Sequence, residues 1–128
     1  MYKRIDHIVV RVKDLEQGMR DYEAKLGMKA SKGPEELRRL GMRRAVYPIG
    51  DAGSFIELAE PLGADGAIAR SLAKHGEGLH LVALAVGDVK AAAAEMKAKG
   101  ARLIEADSMV FVHPGDGHGV LYQLVERK

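Results

Sequence analysis

The period of the apolar positions changes along the chain, and those changes predict an order of elements. Ile5 to Val12 is rich in β-branched residues and predicts a strand. Asp14 follows it and suits a helix N-cap, because its side-chain oxygen can accept an orphan amide of the first turn. Leu15, Met19, Tyr22 and Leu26 then recur at helical spacing, with Gly27 at the place of a left-handed C-cap. The polar stretch from Ser31 to Arg39 has little strand character and is expected to be a loop. Arg43 to Ile49 and Ser54 to Ala59 predict two strands around the turn Gly50-Asp51-Ala52-Gly53, and Pro61 ends the second. Ala64 to Lys74 predicts a short helix leading to Gly76-Glu77-Gly78.

The pattern then begins again. Leu79 to Val86 predicts a strand, Asp88 a second cap, and Val89 to Lys99 an alanine-rich helix ended by Gly100. Arg102 to Glu105, Met109 to His113 and Gly119 to Val125 predict three more strands, the last preceded by Pro114-Gly115-Asp116-Gly117. Val12-Lys13-Asp14-Leu15 matches Val86-Gly87-Asp88-Val89 at an offset of 74. Phe55-Ile56-Glu57-Leu58-Ala59-Glu60 matches Leu121-Tyr122-Gln123-Leu124-Val125-Glu126 at an offset of 66. Such a repeat changes the fold reading. It implies an α+β fold of two βαβββ modules, with a curled mixed sheet around a shared cavity and the helices outside. One domain spans 1–128, with half 1 at about 5–60, a linker helix at about 64–74 and half 2 at about 79–126.

Composition narrows the function classes. A length of 128 residues suits a single core. The formal net charge of +2 argues for neither nucleic acid nor membrane as partner. With no cysteine, disulfides and thiol nucleophiles are excluded. The N-terminus turns charged at once and does not read as a signal peptide, and no apolar run reaches the ~20 residues of a membrane span. A cytoplasmic protein is expected.

The repeat pairs His7 with Leu81 at offset 74, and Glu57 with Gln123 at offset 66. Strands alternate their side chains between two faces, so equivalent positions point into one cavity. Imidazole, carboxylate and amide oxygen are all divalent-metal ligands. A mid-strand carboxylate is costly to bury alone. Glu57 is therefore a ligand, or it lies on a solvated face, or it pairs with Arg43 or Arg44. His7 is a ligand or a hydrogen-bonded core histidine. Arg38, Arg39, Arg43 and Arg44 form a basic cluster that either meets anionic phosphates or is a solvated face.

Taken together, DHIVVRVKDLEQGMRDYEAKLGM, FIELAEPLG, KHGEG and VFVHPGDGHGVLYQLVE resemble the vicinal oxygen chelate superfamily of glyoxalases, bleomycin resistance proteins and dioxygenases. The resemblance is strongest to its methylmalonyl-CoA epimerase-like members. It implies a divalent metal (Co, Ni, Zn, Mn or Mg) held by residues from four strands, which stabilises an enolate or enediolate while a carboxylate moves the proton. Carried over, the metal positions fall on His7, Glu57, Leu81 and Gln123, with Glu57 also catalytic. Leu81 cannot coordinate, and Gln123 stands where a glutamate is usual, so weak or absent metal is expected. His80 matches the first histidine of the family's His-His pair, and alternation points it away from Leu81. The epimerase's second glutamate falls near Arg39 or Leu40, with Glu35 and Glu36 too early. Leu81, His80, Arg43 and Arg44 are the implied ligand-binding residues. The implied partners are a small carboxylate, α-hydroxy thioester or acyl-CoA, and a second copy of the chain in a homodimer. Two further functions stay open: a metal-free sequestering or resistance protein, and an extradiol-type dioxygenase, for which the second histidine is missing at Leu81.

Overall fold

A computed structural model describes residues 1–128. Strand β1 (Tyr2–Arg11) runs into helix α1 (Leu15–Lys25), followed by β2 (Lys32–Leu37), a 3-10 turn (Arg38–Leu40), β3 (Met42–Ile49) and β4 (Ser54–Pro61). Helix α2 (Ala67–His75) leads to β5 (Gly78–Val86), α3 (Val89–Ala98), β6 (Leu103–Ala106), β7 (Met109–Val112) and β8 (Tyr122–Glu126). The eight strands form one mixed sheet in the order β2-β3-β4-β1-β5-β8-β7-β6. The α+β class and the strand–helix–strands order thus follow the pattern of the sequence.

The loop expected at Ser31 to Arg39 is instead strand β2 and the 3-10 turn. β2 pairs antiparallel with β3, with a register shift between Lys32 and Glu35. Its sequence, KGPEEL, is polar and largely exposed, so no apolar alternation marks it. A sheet edge needs backbone partners more than a buried face, and β3 supplies them. Gly33 sits at the shift with φ +99°, against the Arg44 carbonyl; a Cβ there would collide with it.

The chain divides into two compact units, one of residues 8–80 and one of residues 1–7 with 81–128. In each, the helix start is held by two side chains. Asp14 Oδ1 accepts from Gln17 N at 3.1 Å, and Glu60 Oε1 accepts from Leu15 N at 3.1 Å. In the other unit Asp88 Oδ1 accepts from Ala91 N at 3.0 Å, and Glu126 Oε1 accepts from Val89 N at 2.9 Å. These four acids are the repeat-related pairs Asp14/Asp88 and Glu60/Glu126. The repeat is thus a shared device: a capping aspartate and a closing-strand glutamate satisfy amides that the helix itself cannot.

Each unit also has two sheet faces. In the 8–80 unit, Val12, Leu15, Ala45, Tyr47 and Leu58 form a buried cluster, joined by Val10, Met19, Tyr22 and Ile56. Val10 and Val12, Ala45 and Tyr47, and Ile56 and Leu58 are alternate residues of β1 and its end, β3 and β4, so this face meets α1. Val9, Arg11, Arg44, Val46, Glu57 and Ala59 then take the opposite face. In the other unit, Leu84, Val86, Val110, Val112 and Leu124 pack with Ala92 and Met96 of α3. Ala83 and Gln123 fall on the face away from α3.

Candidate functional site

Glu57 lies in the middle of β4, opposite Val46 of β3, and is only 4% exposed. A buried carboxylate requires compensation. Arg44 supplies it: its Nη1 donates to Glu57 Oε2 at 2.8 Å. Arg44 Nε donates at 2.8 Å to Glu35 Oε1, and Glu35 is its cross-strand partner on β2. The result is a chain of three charges across three strands, Glu35–Arg44–Glu57. Of the alternatives open in the sequence, the Arg44 pair is the one formed. Burial weighs against the charged guanidinium, but the bonds to Glu57 and Glu35 hold its pKa above the ordinary value.

Arg43 points the other way. It bonds Glu16 of α1 and, at 2.8 Å, Glu60 Oε2. Arg38 pairs with Glu36 at 3.1 Å on the exposed turn. The basic cluster of the sequence is therefore largely matched by acids of the same unit. Asp14, Glu16 and Glu60 come close enough to bracket a cation. Their oxygens already serve the α1 amides and Arg43, which accounts for the cluster as a helix cap.

His7 is set by its neighbour. Asp6 is 0% exposed and takes bonds from Arg4 Nη2 at 3.0 Å, Arg127 Nε at 3.0 Å and Arg127 Nη2 at 3.1 Å. His7 Nδ1 lies 2.8 Å from Asp6 Oδ2. Burial pushes the Asp6 carboxyl up, but the bonds from Arg127 and His7 outweigh it and hold the pKa below its ordinary value. With a carboxylate as acceptor, Nδ1 carries a hydrogen, and the bond fixes the orientation of the ring. In the same unit, Gln123 is half-buried on β8, opposite Ala83 of β5 and Phe111 of β7. Leu81 is 7% exposed, an apolar core residue without a donor atom.

His80 is half-buried. Its Nδ1 is buried with no hydrogen-bond partner. Burial first, and the nearby Arg11 charge second, push its pKa down to about 4. Arg11 is itself 8% exposed, with Nε donating to Gly76 O at 3.1 Å and Nη1 to Leu79 O at 2.7 Å. His113 Nδ1 accepts from Gly115 N at 2.9 Å and braces the turn before β8.

Asp6 and Arg11 are not among the candidates named from the sequence, and Glu35 is set aside there as too early. Asp6 and Arg11 are charges inside an apolar strand run, which is the signal that could have found them. The pairing of Glu35 with Arg44 had no signal, because β2 was not legible as a strand.

Residues 6–122 match the model of the glyoxalase/bleomycin resistance protein/dioxygenase superfamily. The chain is 31% identical to a mitochondrial methylmalonyl-CoA epimerase of Bos taurus, over 94% of this chain and 73% of the relative. It is also 31% identical to an ethylmalonyl-CoA/methylmalonyl-CoA epimerase of Cereibacter sphaeroides, over 97% and 98%. Among solved structures, a Streptomyces coelicolor methylmalonyl-CoA epimerase variant in complex with 2-nitronate-propionyl-CoA superposes with a TM-score of 0.87 at 35% identity, covering 98% of both chains.

Proposed function

Because this chain belongs to the glyoxalase/bleomycin resistance protein/dioxygenase superfamily, we propose that it binds a malonyl-type acyl-CoA thioester and that its metal centre is degraded. The likeness to epimerases of methylmalonyl-CoA and ethylmalonyl-CoA supports the ligand class. The single observation that carries the second part is the engagement of Glu57 by Arg44 at 2.8 Å.

The four positions implied for a divalent metal do not fit one. Leu81 offers no donor, and Gln123 offers a neutral oxygen. Glu57, the one anionic position, already has a cation on its carboxylate. Metal affinity rises with ligand number and charge, and both are reduced here. Arg43 and Arg44 are committed to acids, so their contribution to ligand binding is to shape and fix the sheet face. Glu57 remains the carboxylate proposed to take a proton from the thioester's α-carbon, and Arg44 is the group that orients it. A homodimer, checked by light scattering, belongs to the same proposal.

One observation favours a second reading, a residual metal-dependent isomerase: Asp6 accepts from His7 Nδ1 and orients the ring, as outer-shell carboxylates do for metal-binding histidines. One experiment separates the two. The protein, expressed with and without added cobalt, is analysed for metal and incubated with methylmalonyl-CoA in deuterium oxide. The proposal expects measurable binding, metal well below one per chain, and slow deuterium incorporation at the α-carbon that does not depend on added cobalt and is lost in Glu57→Gln. Stoichiometric metal with exchange that disappears in His7→Ala establishes the second reading instead.

A further inference from the structure

Arg11 is a buried charge that no carboxylate answers. Both of its bonds go to neutral carbonyl oxygens, Gly76 O at 3.1 Å and Leu79 O at 2.7 Å. Gly76 is the C-cap of α2, so the helix dipole offsets part of the charge. The buried acids are taken by other arginines: Glu57 by Arg44, and Asp6 by Arg4 and Arg127. Arg11 also lies on the sheet face away from α1, the face of Glu57 and Arg44. Val12 N donates to Ala59 O at 2.9 Å, which brings the end of β1 beside the end of β4, two residues beyond Glu57. The guanidinium is held rigidly, so it would lose little freedom on meeting a ligand. Gly78 lies beside it: a Cβ there would stand 3.7 Å from Nη2, in ordinary contact, so no side chain of residue 78 occupies that side of the guanidinium. His80, within reach of the Arg11 charge, has an unpartnered buried Nδ1 that can supply or receive one more hydrogen bond.

We propose that Arg11 is the receptor for the free carboxylate of the bound ligand, presenting its guanidinium on the sheet face that carries Glu57. This rests on the acyl-CoA reading above and deepens it by naming the residue that meets the second, ionised carboxyl group of a malonyl-type thioester. The uncompensated arginine holds that carboxylate by charge-assisted hydrogen bonds.

The test uses two thioesters that differ in that one group. Titration calorimetry with methylmalonyl-CoA and with propionyl-CoA is run on the wild type, Arg11→Gln and Arg11→Lys. The wild type is expected to prefer methylmalonyl-CoA by about tenfold or more in Kd, the worth of one hydrogen-bonded ion pair. Arg11→Gln should erase that preference while leaving propionyl-CoA binding unchanged, and Arg11→Lys should restore part of it. A preference that survives Arg11→Gln overturns the assignment. Should Arg11→Gln fail to fold, Arg11→Lys decides, since losing the planar fork must weaken methylmalonyl-CoA and spare propionyl-CoA. If the wild type binds neither thioester, the acyl-CoA reading falls. Thermal shifts with methylmalonate and inorganic phosphate then judge Arg11 alone: Arg11-dependent stabilisation by methylmalonate keeps the inference. No stabilisation, or stabilisation by phosphate only, ends it.

Discussion

Arg44 Nη1 stands 2.8 Å from Glu57 Oε2, and the same guanidinium reaches Glu35 Oε1 at 2.8 Å. Glu57 is buried and Glu35 is partly exposed, so the arginine carries the charge of the sheet face out to its edge. A carboxylate held this way is oriented, and one of its oxygens is no longer open to a cation.

Arg44→Met should therefore destabilise the fold by about 3 kcal/mol or more, because it leaves a buried carboxylate without its partner. Glu57→Leu added to it should recover much of the loss, since the uncompensated charge is then gone. Urea unfolding of the two single variants and the double variant measures the coupling. Losses that simply add would mean that the pair is not an energetic unit.

Leu81 and Gln123 set the second prediction. Leu81→His together with Gln123→Glu adds one donor and one negative charge on the β5 and β8 strands. Cobalt affinity should rise by about tenfold or more, as ligand count and charge dictate. Calorimetry with cobalt checks it. An unchanged affinity would mean that these two positions do not face a metal in this chain.

His80 predicts a pH dependence. Its pKa falls from 6.5 in the unfolded chain to about 4 in the fold, through burial and then the Arg11 charge. The unfolded state thus binds a proton first as pH drops. The stability in question is present above pH 6.5 and is lost as pH falls toward 4. His80→Gln should flatten the stability curve across that window. A wild-type curve already flat between those values would contradict the burial assigned to His80.

Glu60 and Glu126 should behave alike. Each accepts from the first amide of a helix, Leu15 N at 3.1 Å and Val89 N at 2.9 Å. Changing either to alanine should cost about 1 kcal/mol. Glu60→Ala should cost somewhat more, because Arg43 loses a partner with it. Thermal unfolding of the two variants, compared side by side, gives the answer.

Much of the architecture is legible in local patterns. The β-branched run of Ile5 to Val12, the caps Asp14 and Asp88, and the two offsets between the halves each report a backbone preference or an apolar face. Those are properties of neighbours in sequence, and the strands and helices they mark are the ones observed. β2 escaped because a polar edge strand owes its form to β3, not to its own residues. The candidate residues His7, Glu57, Leu81 and Gln123 could likewise be named from the repeat. Their surroundings could not: Arg44 was one of two arginines open to Glu57, and only the register of β3 against β4 and β2 selected it over Arg43. Arg11 shows the same limit. The sequence places a cation in a strand, and alternation chooses its face. That no acid meets it depends on the carbonyls of Gly76 and Leu79, 65 and 68 residues away along the chain. The sequence by itself determined the elements, their repetition and the residue types available. Tertiary structure decided which charges are answered and which are left for a ligand, because the pairing of buried charges depends on distance in space.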